Sequence, residues 1–288
     1  MSATPPQFSA EQLFSDLSGE VDFHLLDVRN EYDFQRFQVE SPFPFRMSNI
    51  PYFDFMEEEE ASVAKVPKGS PVRIVCAKEG SALYVAEILS SHGFTDVSYL
   101  SAGIKSWGEL LTPVRLNPES DSFSLYQFIR PGKGCLSYGV IYDGELVIID
   151  PSRNLHFYRN FARAHGAVIT EVIETHAHAD HLSGGPQLSQ SPEAAMMAHE
   201  LDFPGSPFPF RRLEDGEKFS LCKNGPEMEL SHTPGHTKGC TTWTMVVEED
   251  GVNHDVVIIG SMGSNPGFQF VNNPDNPSIA DEYKQGFR

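Results

Sequence analysis

At 288 residues, 40% of them hydrophobic and 21% charged, the chain has room for two ordinary domains and a globular composition, which excludes a disordered or fibrous protein. Its formal net charge of −19 argues against a nucleic-acid backbone or an anionic membrane surface as partner, since both would repel it. No stretch approaches the roughly 20 uncharged apolar residues of a bilayer span. The opening MSATPPQFSA has neither the basic nor the apolar region of a secretory leader. Four cysteines (Cys76, Cys135, Cys222 and Cys240) in such a chain point to reduced thiols and a cytoplasmic location.

The first part of the chain alternates short β-rich runs with helical spacing. His24–Val28 and Val72–Val75 read as strands, and Ala82–Leu89 as a helix. This βαβ rhythm predicts a parallel sheet with helices on both faces. The acidic run Glu57–Glu60 reads as an exposed helix end or loop. Leu111–Ser120 has two prolines and no apolar period, the signature of a linker. The expected division is a first domain over 1–112, a linker over 113–123 and a second domain over 124–288.

In the second domain, Ser137–Tyr142 and Glu145–Ile149 flank Asp143-Gly144, a strong hairpin signal. A helix is expected around Leu155–Ala164. Val172-Ile173-Glu174 reads as a strand leading into a histidine cluster, and strand signals recur at Thr241–Val247 and Val256–Ile259.

Two places carry chemistry. Cys76 closes an apolar strand, is followed by Ala77–Ser81, and then by the expected helix. Backbone N–H groups and a helix dipole at such a turn favour an anion, so the thiol is expected to be acidic and nucleophilic. Lys78 adds a positive charge. Further on, His176, His178, Asp180 and His181 fall within six residues after a strand. Alternate histidines on an extended segment project to one side and can grip one ion, and a turn after them lets Asp180 and His181 reach a second. Imidazole and carboxylate suit zinc, or iron where positions stay open.

Residues 8 to 112 resemble the rhodanese family through Leu26-Asp27-Val28-Arg29, Asn49-Ile50-Pro51, the Cys76–Ser81 loop, Gly93–Val97 and Gly103–Trp107. The resemblance implies a sulfurtransferase in which Cys76 carries a persulfide. Lys78, Gly80 and Ser81 would then bind substrate, with Ser81 closing the loop. Many small rhodaneses carry an arginine in or just after this loop; here there is none.

His176-Ala-His178-Ala-Asp180-His181 resembles the HxHxDH signature of the metallo-β-lactamase superfamily, and Ser231–Cys240 supports it by presenting His236 at Pro234-Gly235. The resemblance implies an αβ/βα fold and hydroxide attack on an acyl bond, β-lactam-like or thioester. Its first zinc would lie on His176, His178 and His236, and Asp180 would orient the attacking water and bind a second ion with His181. His232 is outside the motif and reads as structural; His165, His199 and His254 read as surface or loop histidines. Two subfamilies compete. Gly134–Tyr138, Ile149-Asp150-Pro151 and Thr175–His178, with the rhodanese partner, look like persulfide dioxygenases, which hold one Fe(II) and oxidise glutathione persulfide to sulfite. Those enzymes need an aspartate where this chain has Gly260-Ser261, which weighs against that activity. Thr233–Thr244, Gly260–Gly267 and Asp281–Lys284 look instead like the histidine-rich subclass of metallo-β-lactamases, whose second zinc uses one more, later histidine. The helical pattern still runs at Arg288, so a C-terminally truncated domain is expected, with its uncovered sheet edge favouring a homodimer. The leading expectation is a bifunctional sulfurtransferase and metallohydrolase. The persulfide dioxygenase, and a degenerate metal domain without catalysis, are the alternatives.

Overall fold

The computed structural model describes residues 4–119, 122–178, 180–249, 251–261, 274 and 277–286. The chain divides into two compact units, Met1–Thr112 with Arg130–Cys135, and Pro113–Ile129 with Leu136–Arg288. Among the described residues no helix is long and apolar enough to cross a membrane.

The first unit runs β1 (Gln7–Phe8), α1 (Ala10–Ser18), β2 (His24–Asp27), α2 (Glu31–Arg36), β3 (Arg46–Asn49), α3 (Tyr52–Glu57), α4 (Glu59–Ala64), β4 (Val72–Val75), α5 (Glu79–Ser91), β5 (Val97–Leu100) and α6 (Ile104–Glu109). The five strands pair in parallel in the order β1-β5-β4-β2-β3. Strand side chains alternate between faces, and both faces are apolar here. Leu26, Val28 and Ile74 pack with Phe55, Val85 and Leu89 on one side, and Leu25 and Val75 with Leu13, Ile104 and Trp107 on the other. Helices therefore cover both faces, as the βαβ rhythm predicts. The helix starts follow capping chemistry: Ser9 accepts from the Gln12 N–H, and Asn30 from the Asp33 N–H. Glu57–Glu60 is exposed around the α3–α4 junction.

The second unit contains β6 (Thr112–Arg115), β7 (Ser124–Arg130), β8 (Cys135–Tyr142), β9 (Glu145–Ile149), α7 (Leu155–Ala164), β10 (Val168–Ile173), α8 (Gly185–Leu188), β11 (Ala195–His199), β12 (Arg211–Leu213), β13 (Lys218–Ser220), β14 (Glu227–His232), β15 (Thr241–Glu249), β16 (Val252–Ile259) and α9 (Ile279–Gly286). Among the described residues, seven strands form one sheet in the order β12-β11-β10-β9-β8-β7-β6, and four form another in the order β13-β14-β15-β16. Inner-face residues of both sheets share one core, with Val140, Val147, Ile149 and Ile173 from the first against Met228, Leu230, Trp243 and Met245 from the second. On the outer face, α7 lays Phe157, Tyr158 and Phe161 against Phe128, ring to ring at 5.3, 5.6 and 4.8 Å. Asp143 and Gly144, at φ 46° and 77°, make the expected hairpin turn between β8 and β9.

Two expectations need correcting. The segment expected as a linker begins with a strand, because β6 reaches Arg115 and pairs with β7; Pro113 is tolerated because β6 is the edge of its sheet. The helix after Cys76 starts at Glu79, not after Ser81, so Gly80 and Ser81 form its first turn. The first turn of a helix leaves its N–H groups without intrahelical partners, so a shorter loop still presents donors.

Candidate active site

In the first unit, Cys76 follows β4 and is buried, while Ala77, Lys78, Glu79 and Gly80 above it are exposed. Lys78 is the N-cap residue of α5 and makes no side-chain cap. The turn is pinned from behind. Ile104 N–H donates to the Cys76 carbonyl at 2.8 Å, and Glu79 accepts from the Ala102 N–H. Gly103, at φ 64°, passes so close that a Cβ there would lie 2.6 Å from the Ala77 carbonyl oxygen. At the neighbouring strand end, buried Asp27 and Arg29 pair at 2.6 Å. Arg29 also donates to the Phe37 carbonyl, and Asn49 to the carbonyls of Asp27 and Arg29.

In the second unit, the parallel strands β9, β10 and β11 end side by side. The register sets Ile149 against Ile173 and Ile173 against Met197, so Asp150 and Glu174 emerge as neighbours. Asp150 turns at φ 54°, a conformation uncommon outside glycine. From there its carboxylate accepts from the Thr175 N–H and hydroxyl, both at 2.7 Å. Since the Thr175 hydroxyl proton goes to Asp150, the hydroxyl oxygen can only accept from His176 Nδ1, 2.9 Å away. The proton of His176 thus sits on Nδ1, and Nε2 keeps its lone pair.

His178 is fixed in a different way. Its Nε2 lies 3.1 Å from Asp150 Oδ1 and 3.5 Å from Glu174 Oε2, too poorly aligned for a hydrogen bond but close enough for an ion pair. Nδ1 is left on the side of Asp180, 3.9 Å from Oδ1. Burial lowers the basicity of His178, but the Asp150 and Glu174 carboxylates outweigh it and push the imidazole up to about 9. Burial and the Asp150 charge together push Glu174 up to about 8, so Asp150 is the ionised member of the pair. Ser183 donates to Glu174 Oε1, and Gly185 packs so tightly on that oxygen that no side chain fits there. His176, held by burial and then by the charge of His178, falls to about 4.

All five residues expected as metal ligands come together. The ring of His176 lies 4.0 Å from that of His178 and 5.1 Å from that of His236, and the His178 and His181 rings are 4.2 Å apart. Asp180 sits 3.1 Å from His181 Nδ1 and is 62% exposed, whereas His178 and His181 are nearly buried. His181 Nε2 is buried with no hydrogen-bond partner among the described residues. Leaving such an atom unpaired costs about 1–3 kcal/mol, which a metal ion would remove. The donor chemistry therefore fits a metal, which His176 through Nε2, with His178, His236, His181 and Asp180, would hold; around His178 the donor atoms lying within 4.8 Å of one another are those of Asp150 and Glu174. Carboxylate or hydroxyl groups on the far nitrogens of ligand histidines are the usual means of orienting them.

Sequence reading passed over several residues that build this site. Asp150 and Thr237 appear there only within family motifs and Glu174 only as the end of a strand, and Asp202 has no role assigned. A buried carboxylate directly before a histidine cluster was the one available signal for Glu174. His232 is structural as expected, with Nε2 on the Lys238 carbonyl at 2.8 Å. His199 stacks on it at 4.3 Å. Ser261 follows Gly260, whose close approach to Thr175 and Thr241 leaves no space for a Cβ. Residues 262–267, part of the stretch read as resembling the histidine-rich subclass, lie outside the described residues.

The rhodanese-like domain family matches residues 10–110, and the metallo-beta-lactamase superfamily matches residues 130–260. The chain thus carries a rhodanese-like domain followed by a domain of the metallo-beta-lactamase superfamily fold. Among individual proteins, a hydroxyacylglutathione hydrolase of Synechococcus sp. is 37% identical over 27% of this chain and 30% of its own length. One from Xylella fastidiosa is 30% identical over 46% of this chain and 44% of its own. The chain therefore spans less than half the length of these relatives. The Rm3 metallo-beta-lactamase shares the fold, with a TM-score of 0.50 at 22% identity over 63% of this chain and 74% of that one.

Proposed function

We propose that the second domain hydrolyses an acyl bond, with a glutathione-type thioester as the favoured substrate class, and that Cys76 of the first domain transfers sulfane sulfur. The observation that carries the hydrolase reading is the convergence of the His176, His178 and His236 rings, with the outward nitrogen of His176 held by Thr175 and that of His178 by Asp150 and Glu174. The similarity to proteins named hydroxyacylglutathione hydrolase favours the thioester over a β-lactam. A divalent zinc or iron ion held by His176, His178 and His236 would supply Lewis acidity and an activated water at neutral pH. Asp180 is the exposed carboxylate of the cluster, anchored through His181, and is placed to orient water and take its proton. Asp150 and Glu174 lie behind His178, where they hold the ring and its proton without reaching solvent.

In the first domain, Cys76 is buried two residues before the N-cap of α5, a place that fits a persulfide carrier, since the N–H groups of a helix's first turn favour an anionic terminal sulfur. Four free cysteines fit a reducing, cytoplasmic setting and small thiol or persulfide partners. The test is metal analysis of the purified full chain, followed by hydrolysis of S-lactoylglutathione. Turnover that is lost on chelation and restored by zinc or iron supports the reading. A metal-loaded protein that cleaves neither the thioester nor a chromogenic cephalosporin, but consumes oxygen with glutathione persulfide, would replace it with the dioxygenase.

A further inference from the structure

Asp202 stands at the end of β11, in the short turn Glu200–Asp202, and is in neither histidine motif. Its carboxylate takes three hydrogen bonds from two segments that are far apart in the sequence. Oδ2 accepts from the N–H of Ala177 at 2.8 Å and from the hydroxyl of Thr237 at 2.6 Å, and Oδ1 accepts from the N–H of Gly239 at 2.5 Å. Ala177 lies between His176 and His178, and Thr237 follows His236. One side chain thus bonds both loops that carry the three imidazoles. Gly239 is shaped to the contact, because a Cβ there would lie 2.8 Å from Asp202 Cγ.

Resting on the metal reading above, we propose that Asp202 is the positioning residue that sets the distance between the His176–His178 segment and the His236 loop. Local structure orders each loop on its own side. Asp150 and Thr175 hold the first, and His232 on the Lys238 carbonyl braces the second. Thr241 ties the bases of the two loops by donating its N–H and hydroxyl to the Thr175 carbonyl at 2.9 and 2.8 Å, whereas the Asp202 carboxylate bonds them beside the histidines themselves, and a carboxylate can accept on both oxygens at once. In an asparagine, the amide nitrogen would face an N–H or hydroxyl donor on one side, so one loop would be released while the side chain kept its size.

The experiment uses the full chain, with affinity for zinc measured by competition with a chromogenic chelator, the absorption spectrum of the cobalt-loaded protein, and amide exchange of Ala177 and Gly239 in the metal-free protein. Asp202→Asn is expected to weaken zinc binding by about 10- to 100-fold, to alter the cobalt spectrum, and to speed exchange at both amides. Gly239→Ala should do the same from the other side of the contact. Glu200→Gln, on the same turn but paired with Arg212, should change none of these. Should Asp202→Asn not fold, Thr237→Val against Thr237→Ser tests the same link, and the serine variant should restore affinity. Wild-type zinc affinity and cobalt spectrum in a folded Asp202→Asn protein overturn the positioning role alone. A wild-type chain that takes up no metal overturns the metal reading, and this inference with it.

Discussion

Thr175 has one hydroxyl and two obligations. It donates to Asp150 and accepts from His176, so it decides which nitrogen of that imidazole is free. Thr175→Val keeps the shape and removes both links. Metal affinity is expected to fall by about 10- to 100-fold with the circular dichroism unchanged, as measured by chelator competition. Cysteines divide equally clearly by environment. Burial, helped by nearby carboxylates, pushes Cys222 up to about 12. Burial pushes Cys240 up to about 11. A raised thiol pKa leaves little thiolate at neutral pH, and the thiolate is the reactive form. In the native chain at pH 8, both are expected to resist iodoacetamide, and both should become labelled on unfolding. Peptide mass spectrometry checks this, and rapid native labelling at either site would contradict the burial assigned to it.

At the scale of elements, the turn Ala102-Gly103 is what presses on the Cys76 loop. Gly103 combines a positive φ with a backbone contact that a methyl group would violate. Gly103→Ala is expected to destabilise the first unit by about 1–3 kcal/mol and to lower sulfur transfer more than Ala77→Gly, which leaves that contact open. Denaturant unfolding and a thiosulfate–cyanide assay measure the two effects. The strand and helix pattern here was largely legible, since buried parallel strands such as Leu146–Ile149 read as unbroken apolar runs. Two boundaries were not. Gly80 is a poor helix former, yet the helix starts before it, with Glu79 tied to the Ala102 N–H. Pro113 suggested a linker, yet an edge strand needs no donor on its open side.

At the scale of the whole molecule, each unit has its own core and its own reactive group. The two proposed activities should therefore separate. Cys76→Ala is expected to abolish sulfur transfer and leave thioester hydrolysis within about twofold. His176→Ala is expected to abolish hydrolysis and leave sulfur transfer in place. Assaying both variants for both reactions tests this, and loss of both activities in either folded variant would show that the reactive groups depend on each other.

The sequence by itself determined the kinds of chemistry: a thiol after a strand, and three imidazoles and a carboxylate at a spacing that few surfaces use. Those signals are local, since residue type and short spacing specify them. It also determined that the first unit would be built on a parallel sheet and that a hairpin would open the second. Only the tertiary structure decided how the histidines are held. Asp150, Glu174 and Asp202 lie at the ends of β9, β10 and just beyond β11, separated by 24 and 28 residues in the chain, and they meet because the strand register aligns Ile149, Ile173 and Met197. Register depends on how two sheets pack against one another. No short stretch of sequence contains that information, so the carboxylates that orient the site became visible only when the strands were laid side by side.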